Sequence, residues 1–437
     1  MNTTSNGLLS FIQKSPTAFH AVSSLCSMFK ENGYTELKEN EKWEIEPDGK
    51  YFVTRNQSSF IAFKIPNSKK CPSFMITAAH SDSPAFKIKH NFESVCGAYK
   101  KLNTERYGGM LCSTWFDRPL SVAGRITTSK DGKITSTLVN MEDPLYIIPS
   151  VAIHMNRNAN ENASYNAAVD LQPIGASAKS DAALKALIAK KLNIDENDIV
   201  SSDLYIYPTE HGCVFGTDKE FICSPRIDDL QCVFAAAKAL ISSKNGEAVS
   251  MLFVSDNEEV GSSTKQGADS TFLNDTITAI HKLSESNTAS LRQVLSSSFM
   301  VSADNAHAVH PNHPELSDPA HRPVINEGIV IKYNASQLYT TDAVSYAIFD
   351  SICKKADVRT QVFANRSDMR GGSTLGNISS TQVSINTVDI GLPQLAMHSC
   401  FETAGVKDTE YLISALKTFY SSALKMTSDG SYELIGE

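Results

Sequence analysis

The sequence predicts an α/β fold: a mixed sheet with helices on both faces, interrupted by an inserted β-rich domain. Three observations lead there. Short apolar runs with strand character alternate with segments of helical spacing. Acidic and imidazole side chains collect where those runs end. Between about residues 93 and 222 the alternation gives way to a hairpin signal and irregular, Asn-rich sequence. At 437 residues the chain exceeds what one small core usually holds. The expected division is therefore a discontinuous domain of residues 1–92 and 223–437, with 93–222 entering at a surface loop.

Taken in order, Ser15-Pro16 reads as an N-cap followed by proline at the first helical position, opening a helix through Phe19, Val22 and Leu25. Residues 75–78 (MITA) read as a short buried strand that delivers HSDSP, with His80 and Asp82, at its end. In the inserted stretch, AGRITTSKDGKITSTLV alternates on both sides of Asp131-Gly132, a pair suited to a type I′ turn. Irregular residues 156–166 follow, then a helix near 181–192. Residues 227–241 are alanine-rich with helical spacing and put SPRIDD at a helix entrance. The run 248–254 reads as a buried strand with Glu258 and Glu259 just past it. SSFMVSAD ends on Asp304, and VDIGLPQLAMHS ends near His398. Asp408 reads as the N-cap of a last helix that buries Leu412, Leu416, Phe419 and Leu424. In α/β sheets ligands bind outside the carboxyl ends of the strands, which is where these His, Asp and Glu residues fall.

Composition narrows the function classes. The formal net charge of −8 disfavours nucleic acid or an anionic membrane surface as partner. No apolar run approaches the roughly 18–20 residues that span a bilayer. The first residues lack the basic and apolar regions of a secretory signal, so a cytoplasmic location is expected. The nine cysteines are odd in number and show no CxxC spacing, which argues for reduced thiols rather than a disulfide framework or a cysteine zinc site.

Five polar clusters carry the chemistry: His80 and Asp82; Asp228 and Asp229; Glu258 and Glu259; Asp304, His307, His310 and His313; and His398. Singly each is weak, because a lone histidine is more often structural and a glutamate pair more often solvated surface. The spacing of three from His307 to His313 would suit a helical stripe, but Pro311 and Pro314 argue against a helix. Together they form a mixed N/O ligand set that suits zinc, and also manganese or cobalt. A carboxylate bridging two ions, with another beside the attacking water as general base, is what two-metal hydrolysis requires.

The stretches HSDSPAFKIK, FDRPLSVAGR, SPRIDDL, DNEEVGS, SADNAHAVHPNHPE, INEGIVIKYN and IGLPQLAMHS, in this order from His80 to His398, resemble the aspartyl aminopeptidase family. The resemblance implies a metallopeptidase domain interrupted by a β-rich dimerisation domain, and a tetrahedral dodecamer built from dimers with enclosed active sites. It implies two divalent ions per subunit, zinc ahead of cobalt or manganese. His80 and Asp304 would hold one ion, Asp228 would bridge both, and Glu259 with His398 would complete the second site. Glu258 would be the general base, Asp82 would orient His80, and His307 would stabilise the oxyanion. Lys332 would approach the substrate side chain, and His154 would reach a neighbouring subunit's site. The peptide substrate would carry an acidic N-terminal residue. The family usually has asparagine where this chain has Asp229, and Asp228 remains the expected bridge. His310 and His313 are expected to be structural, and Ser373 and Thr374 to lie in a glycine-rich loop near the site. Competing functions are neutral-residue specificity, a related deacylase or carboxypeptidase, and an inert assembly protein that keeps the shell.

Overall fold

The structure is a computed structural model that describes residues 3–68, 71–161, 163–284 and 289–436. Its centre is four parallel strands side by side: Val249–Ser255, Phe74–His80, Phe299–Ala303 and Asn386–Gly391. Every residue of the first three is buried, so they read as continuous apolar runs rather than alternating ones. Successive side chains still point to opposite faces. Leu252 and Val254 join a core closed by the helices Ile227–Ser242, Ala343–Lys355 and Asp408–Tyr420. Met251 and Phe253 join the opposite core under the helix Phe272–Leu283. Antiparallel pairings at Ser59–Lys64 and at Ile329–Tyr333 extend the sheet to nine strands and make it mixed. Helices cover both faces, as the sequence predicts.

A separate six-stranded sheet is antiparallel throughout, in the order Lys133–Asn140, Leu120–Lys130, Ile199–Pro208, Ala85–Cys96, Tyr99–Tyr107, Ile174–Ser177. Asp131 and Gly132 turn the hairpin Leu120–Lys130/Lys133–Asn140 with φ of 49° and 75°, the two positive values a type I′ turn demands. Leu184 and Ile188 of the helix Leu184–Leu192 close its core over Val122, Ile126 and Leu204. A third, five-stranded sheet runs Cys213–Phe215, Phe221–Ser224, Glu402–Gly405, Pro393–Leu395, Ala306–His307. It ties the chain leaving the antiparallel sheet to the loops that carry Asp304 and His398. Among the described residues, no helix is long and apolar enough to cross a membrane.

Three local expectations need correction. The second helix starts at Ala18, not after Ser15; Ser15 is buried with its hydroxyl toward Ser24, and extended Thr17 precedes the helix. An earlier helix, Thr3–Gln13, has no counterpart in the sequence reading; Leu8, Phe11 and Ile12 give it a buried face. Leu424 is buried, but it lies on the strand Ala423–Ser428, because the last helix ends at Tyr420. Asp408 starts that helix, and its carboxylate accepts the Asn326 N–H at 2.9 Å instead of capping its own turn.

Candidate active site

Five segments converge beyond the carboxyl ends of the central strands. His80 is the last residue of its strand, and Asp304 directly follows Phe299–Ala303. Glu258 and Glu259 lie in one 3-10 turn, Glu258–Val260, past Val249–Ser255. Asp228 stands at the start of the helix Ile227–Ser242, where it and Asp229 depart from helical angles. His398, with φ of 65°, turns the chain between Pro393–Leu395 and Glu402–Gly405.

The distances are short and ordered. His80 Nε2 stands 3.4 Å from Asp228 Oδ1 and 3.9 Å from Asp304 Oδ1. His398 Nε2 stands 3.4 Å from Asp228 Oδ2 and 3.4 Å from Glu259 Oε1. One carboxylate therefore faces an imidazole with each of its oxygens. Three groups have ligand atoms all within 4.8 Å of one another: His80, Asp228 and Asp304; Asp228, Glu259 and His398; and His80, Glu258 and Glu259.

Electrostatics show the cost of this crowding. Burial pushes Glu258 up to about 8; the nearby His80 works against the rise, and Asp304, Asp82 and Asp228 add to it. Burial likewise lifts Asp304 to about 6 against the charge of Lys332. Burial alone would lower His398, but Asp228, Glu259 and Glu402 hold it at about 10. Asp228 moves the other way: burial opposes its charge, yet the two imidazoles hold its carboxyl well below the usual range.

The supporting residues were partly invisible in the sequence. Asp82 lies beside His80 through both its carbonyl, 3.1 Å from Nδ1, and its carboxylate, 3.5 Å away. That carboxylate also accepts the backbone N–H of Glu258 at 3.1 Å, that of Glu259 at 3.2 Å, and the Tyr107 hydroxyl at 2.7 Å. Tyr107 ends a strand of the antiparallel sheet, so that sheet touches the site directly. Gly108, at φ 76°, sits so close that a Cβ there would be 3.1 Å from the Glu259 Cβ. Asp229, fully buried, accepts the His80 backbone N–H at 3.1 Å.

Two further buried acids support the walls of the site through hydrogen bonds from backbone and hydroxyl groups. Glu402 accepts the N–H of Asp228 at 3.0 Å and of His398 at 2.7 Å, one on each carboxylate oxygen. Asp389 accepts the Thr340 N–H at 2.6 Å and the Thr374 hydroxyl at 2.7 Å, clamping two walls of the adjacent cavity. Nothing in the sequence marks either acid; only their fully buried positions beside the His, Asp and Glu clusters distinguish them from surface carboxylates.

A cavity of roughly 300 Å³ opens on the cluster, bordered by Asp228, Glu258, Asp304 and His398. Its walls include His307, Lys332, Tyr339, Phe363, Ser373 and Thr374. Lys332 is buried, donates to the Asn305 carbonyl at 2.8 Å and stands 3.8 Å from Asp304 Oδ2. Burial works against its charge, but Asp304, Tyr339, Asp389 and Asp228 hold its pKa above the ordinary lysine value. The His307 ring keeps its contact with solvent through the cavity, yet protein surrounds it closely enough that lost hydration, then the Lys332 charge, lower its pKa. The His310 and His313 rings meet at a tilt of 38° with centroids 5.3 Å apart. The structure does not bring His154 to this cavity; it lies exposed in the turn-rich 150–161 segment.

Comparison with known proteins accords with this architecture. Residues 11–420 match the family model described as aminopeptidase I zinc metalloprotease (M18). The chain is 48% identical to a probable M18 family aminopeptidase 2 of Clostridium novyi, covering 95% of this chain and 98% of the relative. It is 46% identical to a protein of the same description from Clostridium acetobutylicum, over 95% and 98%. Among solved structures it superposes on a chain of the Ape4 and Nbr1 complex with a TM-score of 0.91 at 35% identity, covering 96% and 85%. It superposes on the S. cerevisiae mApe1 dodecamer subunit with a TM-score of 0.83 at 26% identity, covering 96% of each chain.

Proposed function

Because this chain belongs to the aminopeptidase I zinc metalloprotease family, M18, and is thus a peptidase that removes N-terminal residues, we propose that it acts on peptides with an acidic first residue through two divalent ions. The observation that carries the two-ion reading is Asp228, whose oxygens face His80 and His398 at 3.4 Å each. Ligand atoms about 2.0–2.1 Å from a zinc ion at tetrahedral angles stand roughly 3.3–3.4 Å from one another. Among the described residues, Asp228 Oδ1 and Glu259 Oε1 are also buried without a hydrogen-bond partner. A buried carboxylate oxygen left unpaired is costly unless a cation takes it. The residues present fit the group.

On this reading His80 and Asp304 would hold one ion, Glu259 and His398 the other, and Asp228 would contribute to both. When bound, such ions polarise a scissile carbonyl and acidify water, and zinc, cobalt or manganese suits the N/O set. Glu258, which opens on the cavity, takes a proton from water at its carboxylate and returns it to the leaving amine. His307, on the cavity wall, donates to the carbonyl oxygen as negative charge builds there. Asp82 keeps the Glu258–Glu259 turn and the His80 ring in register. A free substrate α-amine is required, so acylating the N-terminus should abolish cleavage and separate this activity from a deacylase.

Lys332 supplies the fixed positive charge for an acidic side chain. Lys332→Met is expected to lower kcat/KM for Asp- and Glu-peptides by about 10–100-fold, the worth of a hydrogen bond to a charged group, and to spare Ala- and Leu-peptides. An equal loss on all four substrates would show that the lysine serves Asp304 instead. Glu402→Gln replaces one of the two carboxylate oxygens that accept backbone N–H groups by an NH2 that cannot accept. It should weaken metal affinity by about 10–100-fold, as for other outer partners of ligands, while leaving kcat near normal at saturating metal. Competition against a chelator measures this.

We further propose assembly of this chain as in the mApe1 dodecamer, with 93–222 as the dimerising unit. Exposed Ile134, Met155 and Val169, at 74%, 83% and 70%, support an interface there. His154 would reach a partner's site only in such an assembly.

A further inference from the structure

The edge hairpin of the five-stranded sheet sets two thiols opposite each other. Antiparallel register pairs Cys213 with Cys223, Val214 with Ile222 and Phe215 with Phe221. Ile222 is fully buried and marks the inward face, so alternation puts Cys213, Phe215, Phe221 and Cys223 together on the outer face. The Phe215 and Phe221 rings lie 5.5 Å apart, which shows that opposed side chains on this face meet. Both cysteines are free; Cys213 is exposed and Cys223 half-buried. Directly opposed residues of antiparallel strands have Cα atoms about 4.5–5.5 Å apart, inside the span of about 4.4–6.8 Å that a disulfide bridges.

We infer that Cys213 and Cys223 are a peroxide-sensitive modification site that closes into a reversible cross-strand disulfide. The Cys213 thiolate attacks one oxygen of hydrogen peroxide; the O–O bond breaks, leaving a sulfenic acid and, after protonation, one water. The Cys223 sulfur then attacks the Cys213 sulfur; the S–S bond forms, the S–O bond breaks, and a second water leaves. Two thiols give up two protons and two electrons, and peroxide is reduced to two waters. A thiol reductant reverses the bond by exchange. Burial, followed by the neighbouring Cys213, raises the Cys223 pKa, which leaves Cys213 to meet the oxidant first.

The location links this bond to the active site. On its other side Cys223 pairs with Thr403, and the next residue, Ser224, pairs with Glu402. Glu402 is the acid that holds the backbone of Asp228 and His398. The hairpin is thus one strand away from the residue that positions the cluster.

The test uses the metal-loaded, full-length protein, treated with hydrogen peroxide, alkylated and digested with trypsin. Cleavage after Lys219 puts the two cysteines on separate peptides, so only the bond can join them. The expected result is a linked Cys213–Cys223 pair that disappears with dithiothreitol. In Cys223→Ser, dimedone should instead trap the sulfenic acid on Cys213. Finding Cys213 as sulfinic acid with Cys223 fully alkylated, or joined to the other exposed cysteine, Cys96, would overturn the inference.

Discussion

Glu258→Gln is expected to lower kcat by about 10²–10⁴-fold, the range for loss of a positioned general base, while the protein keeps its metal. The substitution preserves size, and the Glu258 backbone N–H still reaches Asp82 at 3.1 Å, so the turn should hold. The side chain opens on the cavity, within reach of the His80 and Glu259 ligand atoms, yet neither imidazole pairs with it as closely as with Asp228 or Glu259. Loss of the proton acceptor should therefore appear in turnover and not in zinc content. Wild-type turnover from Glu258→Gln would remove the assigned base.

Asp228→Asn is expected to have the opposite signature. An amide offers one acceptor oxygen and no charge, yet both oxygens of Asp228 face an imidazole. Affinity for both ions should fall by more than about 100-fold, beyond the usual effect of outer partners, and hydrolysis should fall with it. Glu259→Gln, whose carboxylate pairs with His398 at 3.4 Å, should weaken the ion on that side more than the other. Isothermal titration with zinc after chelator treatment distinguishes the two. Equal stoichiometry in both variants would contradict a bridging Asp228.

How much of this was legible in advance depends on what each residue does. His80, Asp304 and the Glu258–Glu259 pair were visible because fully buried parallel strands read as apolar runs, and polar residues at their ends stand out. Asp228 was visible as an acid at the mouth of an alanine-rich helix, though not that it and Asp229 leave helical angles there. Glu402 and Asp389 were not legible, because each acts by accepting from backbone or hydroxyl groups that only tertiary folding brings near. The Tyr107–Asp82 bond and the approach of Gly108 to Glu259 were hidden for the same reason: they join two sheets far apart in sequence. Leu424 misled because helical spacing continued on paper past Tyr420, where the chain turns at Ser421 and Ser422 into a strand. The five-stranded sheet left no signal, since strands of two to four residues are too short to show a period.

A carboxylate with each oxygen facing an imidazole, as in Asp228, is expected to join two ions in one hydrolytic site. The most direct measurement is a zinc titration of chelator-treated protein that follows bound metal per chain and cleavage of an Asp-peptide in the same samples. Two ions per chain are expected, with activity rising fully only as the second binds. Full activity at one ion per chain, or cleavage unaffected by the chelator, would contradict it.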